Sequence, residues 1–160
     1  KQKTAYEIMP SLVGSEMCIR DRIYSLINYY AEQGQMLHRS LESIYRSLRD
    51  FIVCCDGERV IGCVALVIYW KDLAEIRSLA VAVEHTKKGI GTRLVRQALN
   101  EAKNLGLPKV FTLTYVTDFF SKLGFKIVEK STLPMKVWGD CLHCPRADAC
   151  DETAMIIELT

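Results

Sequence analysis

The stretch from Glu75 to Thr92 constrains the chain more than any other. Glu75 to Val83 is largely apolar, which predicts a strand covered on both faces and therefore central in its sheet. Lys87-Lys88-Gly89-Ile90-Gly91-Thr92 then opens a long helix. Leu94, Val95, Ala98, Leu99, Ala102 and Leu105 give that helix its apolar face, and Gly106 and Pro108 end it. The first turn of a helix carries unpaired N–H groups and a partial positive charge. Glycines let a phosphate come close to the backbone, and Lys87 and Lys88 add charge at the same place. The turn therefore suits a pyrophosphate. On spacing alone an ordinary helix start fits as well, because the third glycine of the dinucleotide fingerprint and the Gly-Lys-Ser/Thr ending of the P-loop are absent.

The flanking sequence reads as one mixed α/β domain. Ile23, Leu26, Ile27 and Tyr30 form a helical stripe that stops before Gly34. Ser40 caps a second helix over 40–48, with Leu41, Ile44, Tyr45 and Leu48 on one face. Phe51 to Cys55 and Val60 to Tyr69 read as a hairpin around Asp56-Gly57-Glu58. Beyond the long helix come a strand at Val110–Tyr115, a short helix at Thr117–Leu123, a strand at Phe125–Val128 and a last strand at Ala154–Leu159. The expected order is α-α-β-β-β-α-β-α-β-β.

At 160 residues the chain has room for one sizeable core. A net charge of +2 gives no general pull toward nucleic acid or membrane, and no apolar run reaches transmembrane length. No secretory leader pattern opens the sequence. The seven cysteines are odd in number and two are adjacent, so free thiols in a reducing cytoplasm are expected rather than a disulfide framework. Residues 1–22 stand apart. Pro10 and Gly14 interrupt them, and Ser11 to Arg22 resembles a contaminating segment that recurs in translated environmental sequence. The expected division is an atypical segment at 1–22, foreign or simply variable, and a domain at 23–160.

Ser78-Leu79-Ala80-Val81 followed by Lys88-Gly89-Ile90-Gly91-Thr92-Arg93-Leu94 resembles the acetyl-CoA motif of the GNAT superfamily of N-acetyltransferases, Arg/Gln-x-x-Gly-x-Gly/Ala. The first motif position is Thr86 here, a departure that Lys87 and Lys88 offset in charge. Phe119 to Phe125 resembles the later GNAT segment ending in Gly-Phe. The resemblance covers about 23–160 and implies a twisted mixed sheet with flanking helices, splayed open where acetyl-CoA lies. It implies that the main chain of Leu79, Ala80 and Val81 pairs with the pantetheine arm. It also implies that Lys87, Lys88, Gly89, Ile90, Gly91 and Thr92 hold the pyrophosphate. A first strand beside the second strand of the hairpin is implied as well. A homodimer is compatible with the edge strands and common in the family.

The wider pattern is similar to short, single-domain N-acetylglutamate synthases. It comprises Gln35 to Ser40, Ala74 to Val81, Lys136-Val137-Trp138, Asp140-Cys141, Cys144-Pro145 and Cys150-Asp151-Glu152. That resemblance implies acetyl transfer to a small amino acid, L-glutamate, at the entry to arginine biosynthesis. Two carboxylates need fixed cations, and Arg39 and Arg77 are the candidates. Glu75 is the candidate base, acting through water on the attacking amine. Backbone N–H groups near Val81 offer a modest oxyanion site. Many relatives place a Tyr where this chain has Phe120, which leaves the general acid unassigned, with Tyr115 nearby in sequence. Each of Arg39, Arg77 and Glu75 has a plainer reading as an ion-pairing or loop-fixing group. Acceptance of another small amine, or acyl-CoA binding without catalysis, are the competing functions. Cys54, Cys55 and Cys63 read as core, and Cys141, Cys144, Cys150 and His143 as a weak zinc pattern that lacks a clear fourth ligand.

Overall fold

A computed structural model of the chain describes residues 2–4, 16–57, 59–133 and 152–159. It divides into two compact units, 1–67 with 76–101 and 68–75 with 102–160.

The first unit carries strand β1 (Gln2–Thr4), helix α1 (Glu16–Glu32), helix α2 (Leu41–Arg46), strand β2 (Phe51–Asp56), most of strand β3 (Arg59–Trp70), the later part of strand β4 (Leu73–Val81) and most of helix α3 (Ile90–Asn104). The α1 stripe Ile19, Ile23, Leu26, Ile27, Ala31 is buried throughout, one turn at a time. Each of these larger side chains contributes about 1.5–3 kcal/mol by leaving water. α1 begins within the segment whose sequence shows no period, and Ile19 shares its core face. Ile19 stands one helical turn before Ile23, so the apolar stripe runs back into the segment set apart as atypical.

α2 is capped as expected, with Ser43 N donating to Ser40 Oγ at 3.1 Å. It is shorter than expected, however, and passes into a 3₁₀ turn over Leu48–Asp50. Ile44 and Leu48 are buried while Leu41 and Tyr45 face solvent. Tyr45 instead lies under the Arg20 guanidinium, 5.3 Å from the ring centre. β1 pairs antiparallel with β2, the first strand of the hairpin, rather than beside the second. The second has no edge left for it, because β3 lies between β2 and β4. β2 and β3 pair antiparallel with a register shift between Cys54 and Cys55. β4 does occupy a central position, but it ends at Val81. Val83, expected as its last residue, is exposed and starts a 3₁₀ turn over Val83–His85.

α3 buries Leu94, Val95 and Ala98, and Gly62 on β3 permits the close approach of Ile90 and Leu94. A Cβ there would stand 3.1 Å from Leu94 Cδ1 and 3.2 Å from Ile90 Cγ2. Leu105 is exposed, against expectation. Gly106 turns the chain in the left-handed region at φ +81°, and Leu107 takes the buried place, its N–H donating to Ala102 O at 3.0 Å.

In the second unit, strand β5 (Lys109–Thr114) runs parallel to the start of β4, pairing Leu73 to Glu75 with Lys109 to Phe111. Strand β7 (Thr153–Glu158) pairs antiparallel with β5 over all six residues, and strand β6 (Lys126–Ile127) pairs with β7. Helix α4 (Thr117–Lys122) connects β5 toward β6. Leu73, Phe111, Leu133 and Ala154 form the core here, with Tyr69, Leu113, Val128 and Ile156 packed against it. Parallel and antiparallel pairs together make the sheet mixed.

Candidate active site

In the first unit, β4 carries a backbone irregularity at the centre of the expected site. Ser78 has φ +57°, a left-handed conformation that costs a side-chain-bearing residue roughly 1–2 kcal/mol. Two contacts hold it there. The Cys63 thiol donates to Ser78 O at 3.5 Å, and Arg39 Nη1 donates to Ser78 Oγ at 3.2 Å. Strain at one strand residue, held by neighbours, marks functional sites more often than random positions.

Arg39 is held by several hydrogen bonds at once. Its Nη2 donates to Ser43 Oγ and to Ser47 Oγ, both at 2.9 Å, and its Nε reaches Ser43 Oγ at 3.3 Å. The guanidinium lies over the Phe51 ring, 5.5 Å from its centre. Its own backbone is clamped by the Asn28 side chain, which accepts from Arg39 N at 3.0 Å and donates to Arg39 O at 2.9 Å. Hydroxyls orient a guanidinium without cancelling its charge. An open depression of about 430 Å³ lies here, lined by Arg39, Ser40, Glu42, Ser43, Arg46 and Ser47. Arg77, half-buried on β4, and Arg39 both act on Asp50. Burial pushes the Asp50 carboxyl up and the two arginines pull it down, with burial the larger effect. Both candidate arginines thus exert their charge on the same carboxyl.

Past Val81 the chain makes the 3₁₀ turn, and Thr86 Oγ1 donates back to Val83 O at 2.9 Å. Lys87 and Gly89 then both adopt positive φ, +65° and +79°. A Cβ at Gly89 would meet nothing within 4 Å, so the backbone angle, not space, is what calls for glycine. The helical ladder of α3 opens with Arg93 N donating to Gly89 O at 3.1 Å, so the amides of Ile90, Gly91 and Thr92 precede it. Lys87, Lys88 and Gly89 are exposed beside them. Positive backbone dipole, two lysines and an open approach coincide in six residues, which is the chemistry of an anion site.

In the second unit, Glu75 is buried, and the Tyr69 hydroxyl donates to its Oε1 at 3.1 Å. Phe120 is buried too, its ring edge-on to Phe119 at 5.0 Å and Phe125 at 5.1 Å. Cys54 and Cys63 are buried free thiols as expected, and Cys55 is partly covered. Burial pushes the Cys63 thiol up to about 12, although a backbone hydrogen bond at Ala80 and the charge of Arg39 pull the other way. A buried thiol held protonated suits a core residue rather than a nucleophile. Alkylation of the native protein at pH 8 should leave Cys63 unlabelled by peptide mass spectrometry, with labelling appearing only after denaturation. Cys141, Cys144, Cys150 and His143 lie outside the described residues. Among the described residues no group of three His, Cys, Asp or Glu side chains is placed to hold a metal, and no helix is long and apolar enough to cross a membrane.

The sequence did not single out Ser43, Ser47, Ser78, Asp50 or Tyr69. Ser43 and Ser47 fall four and eight residues after Arg39, a helical spacing that was available as a signal. Ser78 offered none, since serine carries no preference for the left-handed region.

The model of the acetyltransferase (GNAT) family matches residues 21–125. The chain belongs to the GNAT acetyltransferase family. It is an acyltransferase with acetyl-CoA as co-substrate. It is 47% identical over 127 residues to an uncharacterized N-acetyltransferase of Chlorobaculum tepidum, covering 79% of this chain and 82% of that one. It is 35% identical over 121 residues to an amino-acid acetyltransferase of Mycobacterium tuberculosis, covering 74% and 69%. Its fold matches N-acetylglutamate synthase from Neisseria gonorrhoeae, solved with coenzyme A and N-acetyl-glutamate, at a TM-score of 0.80 and 27% identity. That match covers 88% of this GNAT chain and 32% of the longer synthase.

Proposed function

We propose that this GNAT enzyme moves the acetyl group of acetyl-CoA to the α-amino group of L-glutamate, the reaction that opens arginine biosynthesis. The observation that carries the proposal is the hydroxyl-held Arg39, with Arg77 acting on the same carboxyl, Asp50. A guanidinium locked in one orientation, rather than a mobile lysine, suits a planar carboxylate that must be held in register. The amino-acid acetyltransferase and the N-acetylglutamate synthase among its relatives support an amino-acid acceptor.

In this reading the amides of residues 90–92, with Lys87 and Lys88, hold the pyrophosphate, and the main chain of Leu79 to Val81 holds the pantetheine arm. Phe120 packs beside the donor. Arg39 and Arg77 hold the acceptor carboxylates. Glu75 accepts the proton of the ammonium group, through water, so that a neutral amine attacks the thioester carbon. Backbone N–H groups near Val81 stabilise the oxyanion, and as the tetrahedral intermediate collapses the C–S bond breaks, CoA leaves as thiolate and the nitrogen gives its second proton to solvent. No covalent enzyme intermediate is needed. Acceptor binding and chemistry take place in the cytoplasm in this proposal.

The test is CoA release from acetyl-CoA across glutamate, aspartate, glutamine and lysine. Turnover confined to glutamate supports the proposal. Preferential turnover of an amine lacking the second carboxylate discards glutamate as acceptor, and acetyl-CoA binding without any turnover points to a binding protein instead.

A further inference from the structure

One peptide unit of the first unit is gripped at both ends. The Ala82 N–H donates to Ile61 O on β3 at 2.8 Å. In a trans peptide the carbonyl points the opposite way from the N–H. The carbonyl of that same unit, Val81 O, therefore faces away from β3. There the Tyr30 hydroxyl of α1 donates to it at 2.6 Å, at the short end for such a bond. The residues on either side explain why this unit matters. Leu79 to Val81 precede it, and the turn that ends in residues 87–92 follows it.

α1 is itself well fixed. Ile23 and Ile27 are fully buried, and Arg22 Nε donates to Val60 O on β3 at 2.8 Å. Tyr30 thus reaches Val81 from a rigid helix, with its ring edge-on to Tyr29 at 5.1 Å. A cavity of about 360 Å³ opens beside the contact, with Ser25, Tyr30 and Val81 to Glu84 in its lining. A carbonyl oxygen has two lone pairs, so the phenol leaves one for a second donor.

We infer that Tyr30 is a positioning residue for the acyl donor. It sets the plane of the Val81–Ala82 peptide, and through it the offset between the strand that pairs with the donor's arm and the turn that takes its pyrophosphate. This rests on the donor placement in the proposed function, but not on which amine is the acceptor.

The test is Tyr30→Phe, which keeps the ring and removes only the hydroxyl, with Tyr24→Phe as control. Calorimetric titration with acetyl-CoA and steady-state kinetics are compared with wild type, after circular dichroism and Tm have established that the variant is folded. The loss of one hydrogen bond that orients the groove is expected to raise Kd and KM for acetyl-CoA about 3–10-fold. The acceptor KM, and kcat at saturating acetyl-CoA, should stay at wild-type values, a split that a general loss of stability does not produce. An unchanged Kd overturns the inference. A tighter Kd also overturns it, in favour of a phenol that competes with the arm. If glutamate is not turned over, the titration still decides Tyr30 while the acceptor assignment falls alone. If wild type binds no acetyl-CoA, both fall.

Discussion

Arg39→Lys is expected to raise the KM for the acceptor amino acid about 10–100-fold and to leave the KM for acetyl-CoA unchanged. Lysine keeps the charge but loses the planar fork, and each charge-assisted hydrogen bond is worth about 1.5–3 kcal/mol. It cannot reproduce the simultaneous bonds to Ser78, Ser43 and Ser47, so the cation loses its fixed direction. Arg39→Ala should be at least as damaging, since the contact with Phe51 goes too. The clamp from Asn28 acts on the backbone of residue 39 and survives either change, which keeps the fold. Steady-state kinetics with each substrate varied in turn checks this. Equal rises in both KM values would mean that Arg39 is architectural.

The second large effect belongs to Glu75. Glu75→Gln keeps the shape and can still accept from the Tyr69 hydroxyl, but it cannot take a proton. A positioned base contributes about 10²–10⁴-fold, so kcat should fall by at least about 100-fold with acetyl-CoA affinity intact. The pH–rate profile supplies the second criterion. Raising the pH, which frees more of the acceptor amine by itself, should recover part of the variant's rate and little of wild type's. A Gln variant with normal kcat would assign Glu75 to holding Tyr69 and the start of β4 in place.

Much of this is legible in the sequence. Residues with one dominant role were placed correctly: the Ser40 cap, the α3 stripe, the hairpin at Asp56-Gly57 and the glycine turn. The errors sit where two rules compete. α2 spans six residues, too few for periodicity to decide which side chains are buried, and Tyr45 found a cation instead of the core. Leu105 satisfied the helical period but stood next to a left-handed glycine that redirected the chain. At the site, Arg39 and Arg77 were visible as charged residues at telling places. What holds Arg39 was not, because Ser43, Ser47 and Ser78 come from two elements and serine is common everywhere. The Tyr30 contact to Val81 spans 51 residues, and no local pattern carries a bond of that separation.

The left-handed Ser78 sets two kinds of selection against each other. Glycine and asparagine enter that region more readily than serine, so a library randomised at position 78 and screened for residual fold after heating should enrich both. The same library screened for turnover should keep serine over glycine, because the Ser78 hydroxyl accepts from the Arg39 fork and glycine offers no acceptor there. Directed evolution for heat resistance would then erode acceptor recognition unless residue 78 were held fixed.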